Sequence, residues 1–376
     1  MDNQKHQDRN RANQLILVTA LLTAFGLLAV YSSSSIMAHH RMNDSLFFVK
    51  KQALVAGAGF LLIAAIQVIP FKWIERITLP LFLVSIIGLI LTLVPGFSRE
   101  VNGASRWLKL GPVALQPAEL VKLTFIMFLA KNLARPHYNT MSLRSILPNL
   151  IVFSLLALPM MLQPDFGSTF LLFLVCFCML YGSGMPLKFS IWGIVLAILG
   201  VVLAIIQAPY RMARLMTFLD PWKDLHKGGF QIIQSYLGFQ NGGLLGVGIG
   251  DSRQKLFFLP EAHTDFIIAV IGEEFGLLGV SFVILCFCLL VTIGMSIAGK
   301  QRLIYRKFLG FGLTFLIAAQ ACINMGVATG LLPTKGIPLP FVSSGASSLI
   351  IFLIVIGLLS RLDQSVGTNN HVKKTN

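Results

Sequence analysis

Charge is what this chain has least of. Only 12% of its residues are Asp, Glu, Lys or Arg, against 55% hydrophobic residues, and its mean hydropathy is +0.78. Such a chain cannot cover a water-facing surface, which excludes a soluble domain and makes lipid its main solvent. Acids are scarcer still, 15 against 30 Lys and Arg, giving a formal charge of +15. Cysteine is confined to Cys176, Cys178, Cys286, Cys288 and Cys322, each inside an apolar run and none in C-x-x-C spacing. That excludes a thiol metal or redox centre and leaves them as small hydrophobes. A soluble basic domain, zinc spacing and aromatic-basic interleaving outside the apolar runs are missing too, so the excess charge does not point to nucleic acid. Anionic lipid headgroups, or an anionic lipid-borne substrate, fit it better.

What is present is apolar helix, repeated about ten times at spanning length. The runs lie near 15–37, 52–70, 77–96, 117–134, 146–162, 167–184, 188–207, 264–298, 308–331 and 346–360. The sequence therefore predicts an all-α polytopic transmembrane bundle. Nothing like a cleavage site follows the first run, so a retained helix is expected over a signal peptide. The run at 264–298 exceeds one crossing, and its first turns are expected at the interface or lining a cavity. An even number of spans puts both termini on one side. Lys300, Arg302, Arg306 and Lys307 crowd one short connection, which assigns that side to the cytoplasm. The chain divides into a cytoplasmic tail over 1–14, one membrane domain over 15–362 and a second tail over 363–376. Two outward segments stand out, 95–116 and a long extracytoplasmic loop, 208–263, between spans seven and eight, too long for a mere connection.

The sharpest polar cluster, L-P-E-A-H-T-D-F at Leu259–Phe266, closes that loop and opens the eighth span. A carboxylate there is partly desolvated and suited to take a proton, so Asp265 is placed like a general base. From position alone a helix cap at Thr264 or Asp265 is the more ordinary account. Glu261, His263 and Asp265 alternate and could offer ligands to a divalent cation, though the spacing is generic and a cation carried in with a phosphate substrate fits better. In the fourth span Glu119 and Lys122 share a helix face and can neutralise each other, as a structural pair or as the polar lining of a cavity. Glu273 and Glu274 sit in an apolar helix and need partners, but point in different directions. The run N-G-G-L-L-G-V-G-I-G at Asn241–Gly250 fails the dinucleotide fingerprint and suits tight turns and close backbone approach. Arg253, Lys255, Arg106, Lys109, Arg211 and Arg214 could together supply a positive field for a pyrophosphate.

Four strings together resemble the SEDS family (shape, elongation, division and sporulation). They are S-R-W-L-K-L-G-P-V-A-L-Q-P-A-E-L-V-K-L (Ser105–Leu123), D-P-W-K-D (Asp220–Asp224), S-R-Q-K-L-F-F-L-P-E-A-H-T-D-F (Ser252–Phe266) with G-E-E-F-G-L-L-G after it, and L-P-T-K-G-I-P-L-P-F-V-S-S-G-A-S-S (Leu332–Ser348). Trp222 and the S-R-Q-K-L-F-F form are similar to the cell-division branch more than to the elongation branch, with the sporulation relatives close by. Phe341–Ser348 departs from the family's common pattern, which has Tyr and two glycines after the first serine.

The resemblance implies a peptidoglycan glycosyltransferase that polymerises lipid II at the outer face of the cytoplasmic membrane, at the division septum. It carries the catalytic acid onto Asp265 and the fourth-span acid and lysine onto Glu119 and Lys122. Beside these, Arg106, His263, Glu261, Arg253, Lys255, Lys335 and Ser343 are candidate substrate contacts. It implies no cofactor beyond a possible Mg or Mn ion and no protein-held metal. The expected partners are lipid II, the undecaprenyl-pyrophosphate-linked glycan, a class B penicillin-binding protein and other division membrane proteins. A lipid II flippase, or an elongation polymerase, is the alternative.

Overall fold

The computed structural model describes residues 2–101, 104–110, 113–136, 138, 142–206, 209–223, 228–252, 254, 259, 262–334 and 336–372. Each apolar run becomes one helix, because in lipid a backbone can satisfy its polar groups only internally. In order these are α1 (Asp2–Met42), α2 (Phe47–Val68), α3 (Phe71–Leu91), α4 (Pro117–Leu133), α5 (Leu143–Leu162), α6 (Phe166–Gly182) and α7 (Leu187–Ile206). Two helices of the long loop follow, α8 (Pro209–Leu219) and α9 (Gly228–Gly242), and then α10 (Ile267–Gly299), α11 (Ile304–Ala328) and α12 (Ala346–Val372). Among the described residues 7 helices, α1, α2, α3, α5, α10, α11 and α12, are long and apolar enough to cross a membrane. Between α2 and α3 the chain breaks at Pro70, whose ring forces Ile69 into an extended conformation.

The centre of the bundle is α4, packed against α3, α6, α11 and α12 and buried along nearly its whole length. Pro117 opens it at the first helical position, where its missing N–H costs nothing. Outward from this core, α2, α3, α5 and α7 leave Leu54, Leu83, Leu158 and Ile198 exposed, as lipid-facing sides require.

The outward segments carry more structure than their composition suggests. Residues 98–115 form a three-stranded antiparallel sheet, β1 (Ser98–Val101), β2 (Ala104–Leu110) and β3 (Val113–Leu115), a small addition to an otherwise helical chain. Strand alternation turns Leu108 inward, where it is buried, and leaves its neighbour Lys109 exposed. In the second segment α9 packs against α10. Beyond α8, an exposed ion pair between Lys223 and Asp220 at 2.9 Å holds the Asp220 carboxyl below its usual range.

α10 is broken. Gly276 adopts φ 62° and ψ −159°, a region that side-chain-bearing residues rarely enter. In an unbroken helix the carbonyls of Glu273 and Glu274 would pair with the N–H groups of Leu277 and Leu278. Here Val247 N–H donates to Glu273 O (3.0 Å) and Gly248 N–H to Glu274 O (3.1 Å), while Leu277 and Leu278 donate to the carbonyls of Gly243 (2.9 Å) and Leu244 (3.3 Å). The glycine-rich run thus fits into the break, with the close approach its composition predicts. A Cβ at Gly242 would run into the carbonyl of Gly272, and one at Gly246 into that of Glu274. The half of α10 before the break is buried throughout, Ile267 to Glu274. That fits a long run whose first turns do not face lipid.

Gly242→Ala is expected to cost roughly 2 kcal/mol by forcing two backbones apart. Gly57→Ala, where a Cβ meets nothing within 4 Å, should stay within about 0.5 kcal/mol of the parent. Thermal unfolding of the two variants in detergent tests the contrast.

Candidate active site

Four helix starts meet at one end of the bundle. Gln116 N–H, before α4, donates to Ser347 Oγ of α12 (3.1 Å), and Ser347 Oγ donates to Ala114 O of β3 (3.3 Å). The Gln116 side chain reaches Asp165, the N-cap of α6, at 3.5 Å. Ser344, just before α12, donates its N–H to His263 O, just before α10 (2.9 Å). The N-termini of α4, α6, α10 and α12 therefore converge, and each presents the positive end of its dipole. An anionic ligand is favoured at such a place.

Just inside this end lies Lys122. It is buried, yet its ammonium donates to Glu119 Oε1 and to Gln320 Oε1 of α11, both at 2.7 Å, and faces the Phe352 ring at 5.8 Å from its centroid. A buried charge is tolerable only when its donors are used in this way. Glu119 Oε2 has no hydrogen-bond partner among the described residues, so half of the carboxylate's accepting capacity is uncommitted. The pair foreseen from the i, i+3 spacing is formed, and Gln320 completes it.

Asp265 sits one residue before Phe266, the N-cap of α10, whose side chain makes no capping bond. The segment 336–345, here called the strap, runs beside it. A Cβ on Gly336 would lie 3.4 Å from Asp265 Oδ2 and 4.0 Å from Arg106 Nη1, so the carboxylate and the guanidinium flank the same glycine. Arg106 is held there from β2 by donating from Nε to Gln163 O (3.2 Å) and from Nη2 to Pro164 O (2.5 Å), at the joint between α5 and α6. Ser343 is occupied structurally. Its hydroxyl donates to Thr264 O (2.5 Å) and accepts from Leu339 N–H (2.8 Å). His263 lies against Phe48 of α2, ring centroids 5.1 Å apart. Glu261, Arg253, Lys255 and Lys335 lie outside the described residues. Among those described, no group of three His, Cys, Asp or Glu side chains is arranged to hold a metal ion.

Glu273 and Glu274 belong to the fold. Glu273 accepts from the Ser252 hydroxyl and from Gln254 N–H (3.3 Å), and Glu274 from Ser32 Oγ of α1 (2.5 Å). A cavity of about 310 Å³ lined by Glu75, Thr78, Phe128, Lys131, Asn132 and Tyr305 opens at the other end of α4. It lies roughly 18 Å from Glu119 along the helix and is not part of the site. Sequence reasoning passed over Asp165, Gln52, Gln320 and Asn324, all buried. The signal that could have found them is a lone amide or carboxyl inside an apolar run.

The family model described as cell cycle protein, covering the FtsW, RodA and SpoVE proteins, matches residues 12–367. The chain belongs to this family. It is 38% identical over 346 residues to the probable peptidoglycan glycosyltransferase FtsW of Geobacter metallireducens, covering 92% of each chain. To the stage V sporulation protein E of Bacillus subtilis it is 39% identical over 347 residues, 92% of this chain and 94% of that one. Among solved structures it is similar to a chain of a peptidoglycan synthase complex that coordinates polymerization and crosslinking, with TM-score 0.75, 27% identity and coverage of 94% and 97%. The rod shape determining protein RodA of Thermus thermophilus gives TM-score 0.66 at 25% identity, covering 93% of this chain and 96% of that one. A multi-pass membrane protein of the FtsW, RodA and SpoVE family is thus the frame for the site.

Removing one partner of the buried pair leaves the other charged and uncompensated. Lys122→Met is expected to destabilise the protein by about 3–5 kcal/mol. Lys122→Met combined with Glu119→Gln should recover part of that loss, and a thermal-shift series over the two single variants and the double variant measures it.

Proposed function

We propose that this chain is a peptidoglycan glycosyltransferase that polymerises lipid II at the outer face of the cytoplasmic membrane, with Asp265 as general base. The observation that carries the reading is the placement of both Asp265 and Arg106 beside Gly336, at the end where four helix N-termini converge. The activity stated for the FtsW relatives supports it.

The chemistry asks little more of the protein. A sugar joined to pyrophosphate already carries a good leaving group, so no acid is needed to protonate it. One base is enough to take the proton from the acceptor sugar's 4-hydroxyl as that oxygen attacks the anomeric carbon with inversion. A two-carboxylate hydrolase would need a second acid at a set distance from the first, and the reading requires none. Negative charge growing on the departing pyrophosphate is stabilised by Arg106 and the helix dipoles, with Arg253, Lys255 and Lys335 as further candidates. The half-used carboxylate of Glu119 gives a substrate hydroxyl or N–H an acceptor, while Lys122 holds its other oxygen. In this reading His263 and Ser343 shape the wall of the site, with Glu261 a further candidate contact.

The termini lie in the cytoplasm, so that Asp265 faces outward. The chain works with a class B penicillin-binding protein, in line with the similarity to a synthase complex, and with other division membrane proteins. Septal wall synthesis is the favoured setting, although the sporulation relative is as similar as the division relatives. A flippase would use charges spread through the membrane depth, and the bonds made by Glu273 and Glu274 to Ser252, Gln254 and Ser32 give those two acids a structural task instead.

Asp265→Asn in purified protein is expected to lower lipid II polymerisation by about 10²–10⁴-fold with membrane insertion intact. Gel analysis of glycan strands measures it. Wild-type polymerisation by the variant removes Asp265 as the base. Translocation of labelled lipid II by wild-type proteoliposomes, without polymer, favours transport.

A further inference from the structure

Three consecutive backbone carbonyls end at Asp265, and each is taken by a donor, two from the strap and one from α11. His263 O accepts from Ser344 N–H (2.9 Å), Thr264 O from Ser343 Oγ (2.5 Å) and Asp265 O from Asn324 Nδ2 of α11 (2.9 Å). The same Asn324 amide donates to Ile337 O of the strap at 2.8 Å. Its two N–H bonds therefore join the segment that carries the acid to the strap that runs beside it. Two carbonyl partners also fix which way the amide points, since an oxygen in that position would face two acceptors.

One turn earlier on the same face of α11, Gln320 accepts from Lys122 (2.7 Å) and donates to Pro338 O (3.0 Å). On the far side of the strap, Gln52 of α2 donates to Ser343 O (3.0 Å) and accepts from Gly345 N–H (3.3 Å). The strap is thus gripped from both sides, and α11 spaces the Lys122–Glu119 pair from Asp265 through two amides four residues apart. Asn324 is 2% exposed, too enclosed to act as a surface contact. It reaches the acid through the backbone and not through the carboxylate.

We infer that Asn324 is a positioning residue for the transfer reaction, which fixes where the Asp265 carboxylate stands relative to the strap and the Lys122–Glu119 pair. This rests on Asp265 acting as the base. A base must stand within hydrogen-bond reach of the proton it abstracts, and a displacement of about 1 Å can cost about 10²-fold in rate. Substrate binding is spread over other groups and does not depend on that distance. Loss of Asn324 therefore acts on kcat and leaves KM.

The test compares Asn324→Ala, Ser343→Ala and Asp265→Asn in purified full-length protein, with polymerisation rates measured over a range of lipid II concentrations and expressed per lipid II-binding site. Expressing rates this way removes any loss of folded protein. For Asn324→Ala the expected result is a kcat lower by about 10²-fold with KM within about twofold of wild type. Ser343→Ala, which removes one of the three ties and only a hydroxyl, should show the same pattern at about 10-fold. Wild-type kcat per site in Asn324→Ala, alongside an inactive Asp265→Asn, overturns the positioning role and leaves the base intact. A raised KM at unchanged kcat overturns it as well, by making Asn324 a binding contact. If Asn324→Ala does not fold, Ser343→Ala decides, and an unchanged kcat there overturns the inference. Wild-type activity in Asp265→Asn removes the base itself, an outcome distinct from the others.

Discussion

Lipid offers no hydrogen bonds, and most of what is specific about this structure follows from that. In water a stray amide or carboxylate is solvated at little cost, whereas inside this bundle each must find a partner on another helix. Lys122 illustrates the result. Its ammonium uses one carboxylate, one amide oxygen and one aromatic face, and so ties α4 to α11 and α12. The same need turns polar side chains into connectors. A bundle held only by leucines would pack, but it would have little to fix the depth or rotation of each helix.

That constraint also explains where chemistry can be housed. The helix starts at the Asp265 end leave N–H groups unpaired within their own helices, and the partners they find are side chains and carbonyls from neighbouring starts. Gathering four such ends concentrates positive potential at the Asp265 end of the bundle. Asp165, Glu119 and Asp265 bring acids to the same end, so the field is balanced and not uniformly positive. The doubly anionic lipid proposed as substrate would have to be attracted without trapping the product, and a mixed field suits that better than a cluster of lysines.

How much of this was legible in the sequence depends on the distance over which a signal acts. The helices were, because apolar length is a local property, and each of the ten runs is matched by one helix. The Glu119–Lys122 pair was, because i, i+3 spacing places both on one face. Asp265 was legible as an acid at a helix start, a position that by itself suits a cap more often than a base. The sheet at 98–115 was missed because its strands are short and its glycines and charges read as loop. Gln52 was missed for a different reason. Its partner Ser343 is 291 residues away, and nothing near Gln52 on α2 announces that a strap will cross it. Asn324 is alike, one amide in an apolar helix with no periodic companion except Gln320.

The patched break in α10 has a consequence for the order in which the chain is made. Residues 243–248, which bond the groups that Gly276 releases, leave the ribosome before Glu273 to Leu278 do. The patch is therefore already synthesised when the interrupted segment reaches the membrane, and α10 need not enter the bilayer with four naked backbone groups. A circular permutation that moved 243–248 behind α10 would keep every contact of the finished structure. It would reverse that sequence of events, exposing the break to lipid during insertion, so the linear order of these segments is itself part of how the fold is reached.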